Sequence, residues 1–144
     1  GDYDNRTDHV LQNRTDHELA TRKRLYLDTR RRANAVWRLP LLGSGEVTKA
    51  GVFLQLSGGL GGPDGLAIDS EGNLAIAHAG FGTVWLFSRI GEPIYRIKSC
   101  TGIRTTNLAY GGADRKTLFI TESDTGTILT AKMPVAGNLM YSHW

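Results

Sequence analysis

The sequence predicts an all-β fold of small antiparallel sheets repeated along the chain, and three observations carry that prediction. Of the 18 glycines, only Gly1 precedes residue 43, so turns crowd the later part. Between the glycines run apolar segments of four to seven residues rich in Val, Ile, Leu, Phe, Trp and Thr, the composition of strands bounded by turns. The segments also recur. Val36-Trp37 returns 48 residues later as Val84-Trp85, Leu74-Ala75-Ile76 returns 44 later as Leu118-Phe119-Ile120, and Leu25-Tyr26-Leu27 precedes Leu74-Ala75-Ile76 by 49. Four strands at a period of about 45 residues describe one blade of a β-propeller.

Taken in order, the strands are expected at 24–28, 34–39, 50–56, 65–69, 73–78, 83–88, 93–98, 106–110, 117–121 and 126–132. Several are apolar on both faces. In 83–87, Val84 and Leu86 point one way and Trp85 and Phe87 the other; in 73–78, Leu74 and Ile76 oppose Ala75 and Ala77. A sheet apolar on both sides requires cover on both sides, as when similar sheets stack. The expected domains are a charged, irregular segment 1–23 and a partial propeller 24–144. Three units of this size fill the chain, whereas propellers close with about four to eight blades. The expectation is therefore about three blades of a six-bladed ring. Missing blades or a second copy in a homo-oligomer would cover the end sheets.

Composition narrows the function. Residues 1–32 hold 8 Lys/Arg and 6 Asp/Glu, and the remainder hold 9 and 8, so the basic character is concentrated in Arg22-Lys23-Arg24 and Arg30-Arg31-Arg32. Few aromatics interleave with these clusters, and no nucleic-acid partner is expected. No apolar run approaches the ~20 residues of a membrane span. The polar first 30 residues lack an apolar signal region, so no membrane partner and a cytoplasmic location are expected. The single Cys100 excludes an internal disulfide and a multi-cysteine zinc site.

The stretch Gly61-Gly62-Pro63-Asp64-Gly65-Leu66-Ala67-Ile68-Asp69-Ser70-Glu71-Gly72-Asn73-Leu74-Ala75-Ile76-Ala77-His78 resembles the SMP-30/gluconolactonase family of six-bladed, metal-dependent lactone hydrolases. Ala33-Asn34-Ala35-Val36-Trp37-Arg38, Thr105-Thr106-Asn107-Leu108-Ala109-Tyr110-Gly111-Gly112-Ala113-Asp114 and Leu118-Phe119-Ile120-Thr121 resemble further segments of it, in the family's order. The resemblance implies a divalent cation in the central channel, calcium or alternatively Mg, Mn or Zn, held by oxygen ligands. It further implies hydrolysis of a small sugar lactone or related ester, if missing blades or a second copy complete the site.

The resemblance places Asp64 on the family's acidic metal ligand, and Asp64 is taken as both metal-binding and catalytic. Pro63 fixes the backbone before it and Gly65 permits the turn after it, although Pro-Asp-Gly is also an ordinary turn. The family's N-terminal glutamate has no counterpart here, and its central asparagine falls beside Asn13, the second metal candidate. Thr106 and Asn107, equivalent to Asp64 in the next repeat, and His78 are candidates for the substrate pocket. The alternative is a non-catalytic propeller fragment or binding module without a complete metal site. Asn-Arg-Thr-Asp-His occurs at 5–9 and 13–17; the eight-residue spacing and absence of cysteine favour a duplicated segment over a metal tract. Gly80-Phe81-Gly82 is expected to be a turn, and Gly43-Ser44-Gly45 a hairpin loop.

Overall fold

Every regular element of the described residues is a β-strand. The computed structural model describes residues 9–11, 24–30, 33–42, 44 and 46–139. The strands are β1 His9–Leu11, β2 Arg24–Arg30, β3 Ala35–Leu41, β4 Gly51–Gln55, β5 Gly62–Ile68, β6 Leu74–Ala79, β7 Thr83–Phe87, β8 Pro93–Lys98, β9 Thr105–Gly111, β10 Thr117–Glu122 and β11 Thr127–Lys132. They form three antiparallel sheets in simple meander order: β1-β2-β3-β4, β5-β6-β7-β8 and β9-β10-β11.

Two differences from the sequence reading stand out. β5 starts at Gly62, so Pro63-Asp64 lies inside the strand and not ahead of it. The third sheet has three strands, because the residues after β11 leave it instead of pairing as a fourth. They run back to the C-terminal end of β5: the Ser70 amide donates to the Ala136 carbonyl at 2.8 Å, and the Asn138 amide donates to the Ile68 carbonyl at 2.9 Å. Within the segment expected to be irregular, His9–Leu11 pairs with β2; Asn13 and most of the repeated pentapeptides lie outside the described residues.

The middle sheet is covered on both faces, as its alternation requires. Leu74 and Ile76 of β6, with Leu66 and Phe87, pack on Val36, Leu54 and Leu56 from the first sheet. Ala75 and Ala77, with Val84 and Leu86, pack on Leu108, Leu118 and Ile120 from the third. All six residues of β6 are buried. Its small alanines let the third sheet approach closely and its branched residues fill the wider gap to the first. The outermost strand β8 is mostly exposed, and Pro93, Arg96 and Lys98 blunt its edge against further pairing.

This stacking predicts an asymmetric mutational response. Leu118→Ala, at a side chain with 0% exposure, lowers the unfolding free energy by about 2–5 kcal/mol in urea titrations followed by circular dichroism. Ile90→Ala, at a residue 69% exposed in the β7–β8 turn, changes it by no more than about 0.5 kcal/mol.

Candidate functional site

The first strands of the second and third sheets, β5 and β9, lie side by side, with β2 on the far side of β5. Their N-terminal ends meet, and a bulge sits in each. In β5, Pro63 pairs with His78 and Leu66 with Ile76, so Asp64 and Gly65 together oppose the single residue Ala77. In β9, Asn107 pairs with Thr121 and Thr105 with Glu122, which leaves Thr106 as the extra residue. Such bulges bend a strand and re-aim its side chains.

Gly65 sets how closely the two strands meet. A Cβ at this position would stand 2.2 Å from Asn107 Oδ1 and 2.7 Å from Asn107 Cα, so only glycine permits this approach. The contact places partly buried Asp64 one residue from Asn107, joining the two repeats that the sequence set in register. Asn107 is held firmly: its amide donates to Thr121 Oγ1 at 2.9 Å, and its Oδ1 accepts from the Leu108 amide at 2.9 Å. Thr106 Oγ1 lies 3.0 Å from Thr121 Oγ1. Beneath them buried Thr105 donates to either the His78 or the Thr83 carbonyl, at 3.2 and 3.1 Å, tying β9 to the middle sheet.

His78 is displaced from the role expected of it. Its side chain has 0% exposure, so a ligand does not reach it. Strand alternation puts it on the Leu74–Ile76 side, its ring tilted 36° against Phe81 at a 5.0 Å centroid distance. Trp85 Nε1 donates to His78 Nδ1 at 3.2 Å, which leaves the ring proton on Nε2. Burial pushes its pKa below the ordinary 6.5, while the Gly58 carbonyl acts in the opposite sense without a hydrogen bond of standard geometry to Nε2. His78 is a neutral core histidine.

The sequence reading missed Glu122. At the end of β10, 1% exposed, it follows Leu118 and Ile120 in phase, so a carboxylate occupies an apolar position of the alternation. That phase was its one legible signal. Oε1 accepts from the amides of Asp124 at 2.8 Å and Arg104 at 3.2 Å; Oε2 accepts from the Thr125 amide at 2.9 Å and from the Thr125 hydroxyl. The Thr125 hydroxyl, followed by the backbone amides, holds the pKa down at about 2 against desolvation. With every bond spent on the loops around it, Glu122 is a structural clamp near the β5–β9 mouth.

A separate cavity of about 300 Å³ lies at the other end of β5, lined by Asp69, Asn73, Tyr95, Tyr110, Met133 and Val135. The Asp69 carboxylate there is spent on the turn, accepting from the Glu71 and Asn73 amides and the Asn73 side chain. Five residues of strand, roughly 17 Å, separate this cavity from Asp64. It is no part of the mouth.

Residues 16–124 match the SMP-30/Gluconolactonase/LRE-like region. The chain belongs to this family. Asp64, His78, Thr106, Asn107 and Glu122 all fall within the matched span. Among solved structures, a calcium-binding protein, regucalcin, from Agrobacterium tumefaciens is 28% identical with a TM-score of 0.67, covering 82% of this chain and 44% of its own. A putative gluconolactonase is 26% identical with a TM-score of 0.69, covering 80% of this chain and 37% of its own. An uncharacterized protein of Sulfolobus acidocaldarius is 32% identical over 97 residues, 65% of this chain and 35% of that protein. The chain thus spans less than half the length of each of these relatives.

The divalent metal that the family implies finds only part of a site here. Among the described residues no group of three or more His, Cys, Asp or Glu side chains could hold a metal ion. The mouth offers Asp64, the Asn107 amide and the Thr106 hydroxyl, oxygen donors of the right class but few in number. Asn13, the second expected ligand, lies outside the described residues.

Two outcomes follow. Gly65→Ala forces Asn107 away and destabilises the fold by about 1–3 kcal/mol, the usual cost of overpacking, measured by urea unfolding. Glu122, whose pKa is lower in the folded chain than its ordinary 4.5, stabilises the fold above that value; the contribution is lost as pH falls toward about 2. His78, also depressed, contributes with the same sign from 6.5 downward. The urea midpoint therefore falls on acidification, and Glu122→Gln flattens the slope below pH 4.5 while leaving the step that starts near 6.5.

Proposed function

We propose that the chain is part of a β-propeller lactone hydrolase of the gluconolactonase type, acting on a small sugar lactone or related ester. The observation that carries this reading is the placement of Asp64: a carboxylate in the β5 bulge, next to the Gly65 that packs against Asn107 of β9, within the family match. Its three sheets are the counterpart of about three blades of a six-bladed ring.

In this reading the Asp64 carboxylate takes a proton from an attacking water. The hydroxyl oxygen adds to the lactone carbonyl carbon, the ring carbon–oxygen bond breaks, and the proton passes to the departing alkoxide. Ring opening yields a hydroxy acid. Thr106 and Asn107, fixed by Thr121, present a hydroxyl and an amide to the sugar's oxygens. A divalent metal, calcium by the family's implication, would polarise the carbonyl. The described residues supply only part of its ligand set.

The same shortage of ligands favours a second reading, a non-catalytic propeller segment that acts by binding. Hydrolysis of gluconolactone with and without chelator separates the two. The hydrolase reading expects activity that chelator abolishes and calcium restores. It also expects Asp64→Ala to reduce the rate by about 10²-fold or more with an unchanged circular dichroism spectrum. Chelator-insensitive turnover, or full activity in Asp64→Ala, overturns it.

A further inference from the structure

We infer that Thr106 and Asn107 select a lactone bearing a hydroxyl on the carbon next to its carbonyl, because the bonds made at the β9 bulge leave one acceptor and one donor there. The inference rests on the proposed reading for the lactone. The acceptor–donor pair itself follows from counting protons and lone pairs.

A threonine hydroxyl has one proton to give and two lone pairs with which to accept. At Thr121 Oγ1 all three are engaged. It accepts from the Asn107 amide at 2.9 Å. It lies 3.2 Å from the Asn107 carbonyl, which can only accept, so the Thr121 proton goes there. Its last neighbour is Thr106 Oγ1 at 3.0 Å, a contact across which either hydroxyl could donate. Only donation by Thr106 satisfies all three bonds at once. The Thr106 proton is thereby spent, and its oxygen is left as an acceptor.

Asn107 has the opposite polarity. The Leu108 amide donates to its side chain at 2.9 Å, which assigns the bonded atom as Oδ1, since the NH2 group cannot accept. Gly65 leaves the room that this oxygen occupies. Nδ2 then keeps two N–H donors with no partner among the described residues, on a residue that is exposed. Cross-strand partners point to one face, so Thr121 and Asn107 share theirs. The Thr106–Thr121 contact brings Thr106 to the same face, which the bulge permits and strict alternation would forbid.

Consecutive residues about 3.8 Å apart along the backbone call for an acceptor and a donor on neighbouring ligand atoms. In an α-hydroxy lactone the carbonyl oxygen accepts from Asn107 Nδ2 and the adjacent hydroxyl donates to Thr106 Oγ1. A carboxylate would satisfy Asn107 but bring no proton for Thr106, and an amine would do the reverse.

The test titrates the full chain by NMR with two non-hydrolysable probes, 2-hydroxycyclohexanone and cyclohexanone, and so needs neither metal nor turnover. The expected result is a shift of the Asn107 side-chain NH2 signals and a dissociation constant about tenfold lower for the hydroxy ketone. Thr106→Val keeps the shape, removes the acceptor and brings the two probes to equal affinity. Asn107→Asp keeps the oxygen that meets the Leu108 amide, turns the donors into an acceptor and weakens both probes by about tenfold. Circular dichroism of both variants matches the wild type; if Asn107→Asp fails to fold, Thr106→Val decides. Equal affinity of the wild-type chain for the two probes overturns the inference, as does a preference that survives Thr106→Val or the absence of any shift at Asn107. Gluconolactone turnover is assayed alongside. A chain that keeps the probe preference without turnover loses the hydrolase reading and retains the acceptor–donor pair, whereas turnover without the preference does the reverse.

Discussion

The burial of both faces of the β5–β8 sheet is the constraint on which the rest of this molecule depends. Leu74 and Ile76 on one side and Ala75 and Ala77 on the other hold three sheets in a stack, and no residue of β6 is left in solvent. The unequal sizes on the two faces matter. Alanines bring β9 close to β5, and only at that spacing can the Gly65 backbone touch Asn107. The candidate site is thus a by-product of how the core is packed.

Polar groups at the mouth are arranged for rigidity more than for chemistry. Thr105 donates to the His78 or the Thr83 carbonyl of the middle sheet, Thr121 clamps the backbone of Asn107, and Glu122 gathers the loop amides of Arg104, Asp124 and Thr125. A buried carboxylate is tolerable because four donors replace its lost water. These bonds fix the loops that frame Asp64 and Asn107. A site built on strand ends held in this way needs little rearrangement to receive a ligand, which suits a reaction governed by positioning.

Half-length relative to its relatives gives the chain its other distinctive property. Its middle sheet is finished, while its third sheet presents one finished face and one open face.

The sequence by itself determined the strand order, the two-faced middle sheet and the family. Side-chain period and turn residues are local properties, and β6 to β11 fall within one or two residues of where Gly, Asn and the apolar alternation put them. It also aligned Asp64 with Thr106 and Asn107 as matching repeat positions, and in the structure the neighbouring Gly65 packs against Asn107. Other features depended on contacts remote along the chain. That β5 begins at Gly62 is decided by pairing with His78 and Ala79 on the next strand, against the turn character of Pro-Asp-Gly. His78, a substrate-pocket candidate in the sequence, is enclosed by Trp85 and Phe81 in the fold. Glu122, which the sequence reading passed over, is buried by the loops around it. Burial of a polar side chain is set by what packs above it, and only the tertiary structure decides that.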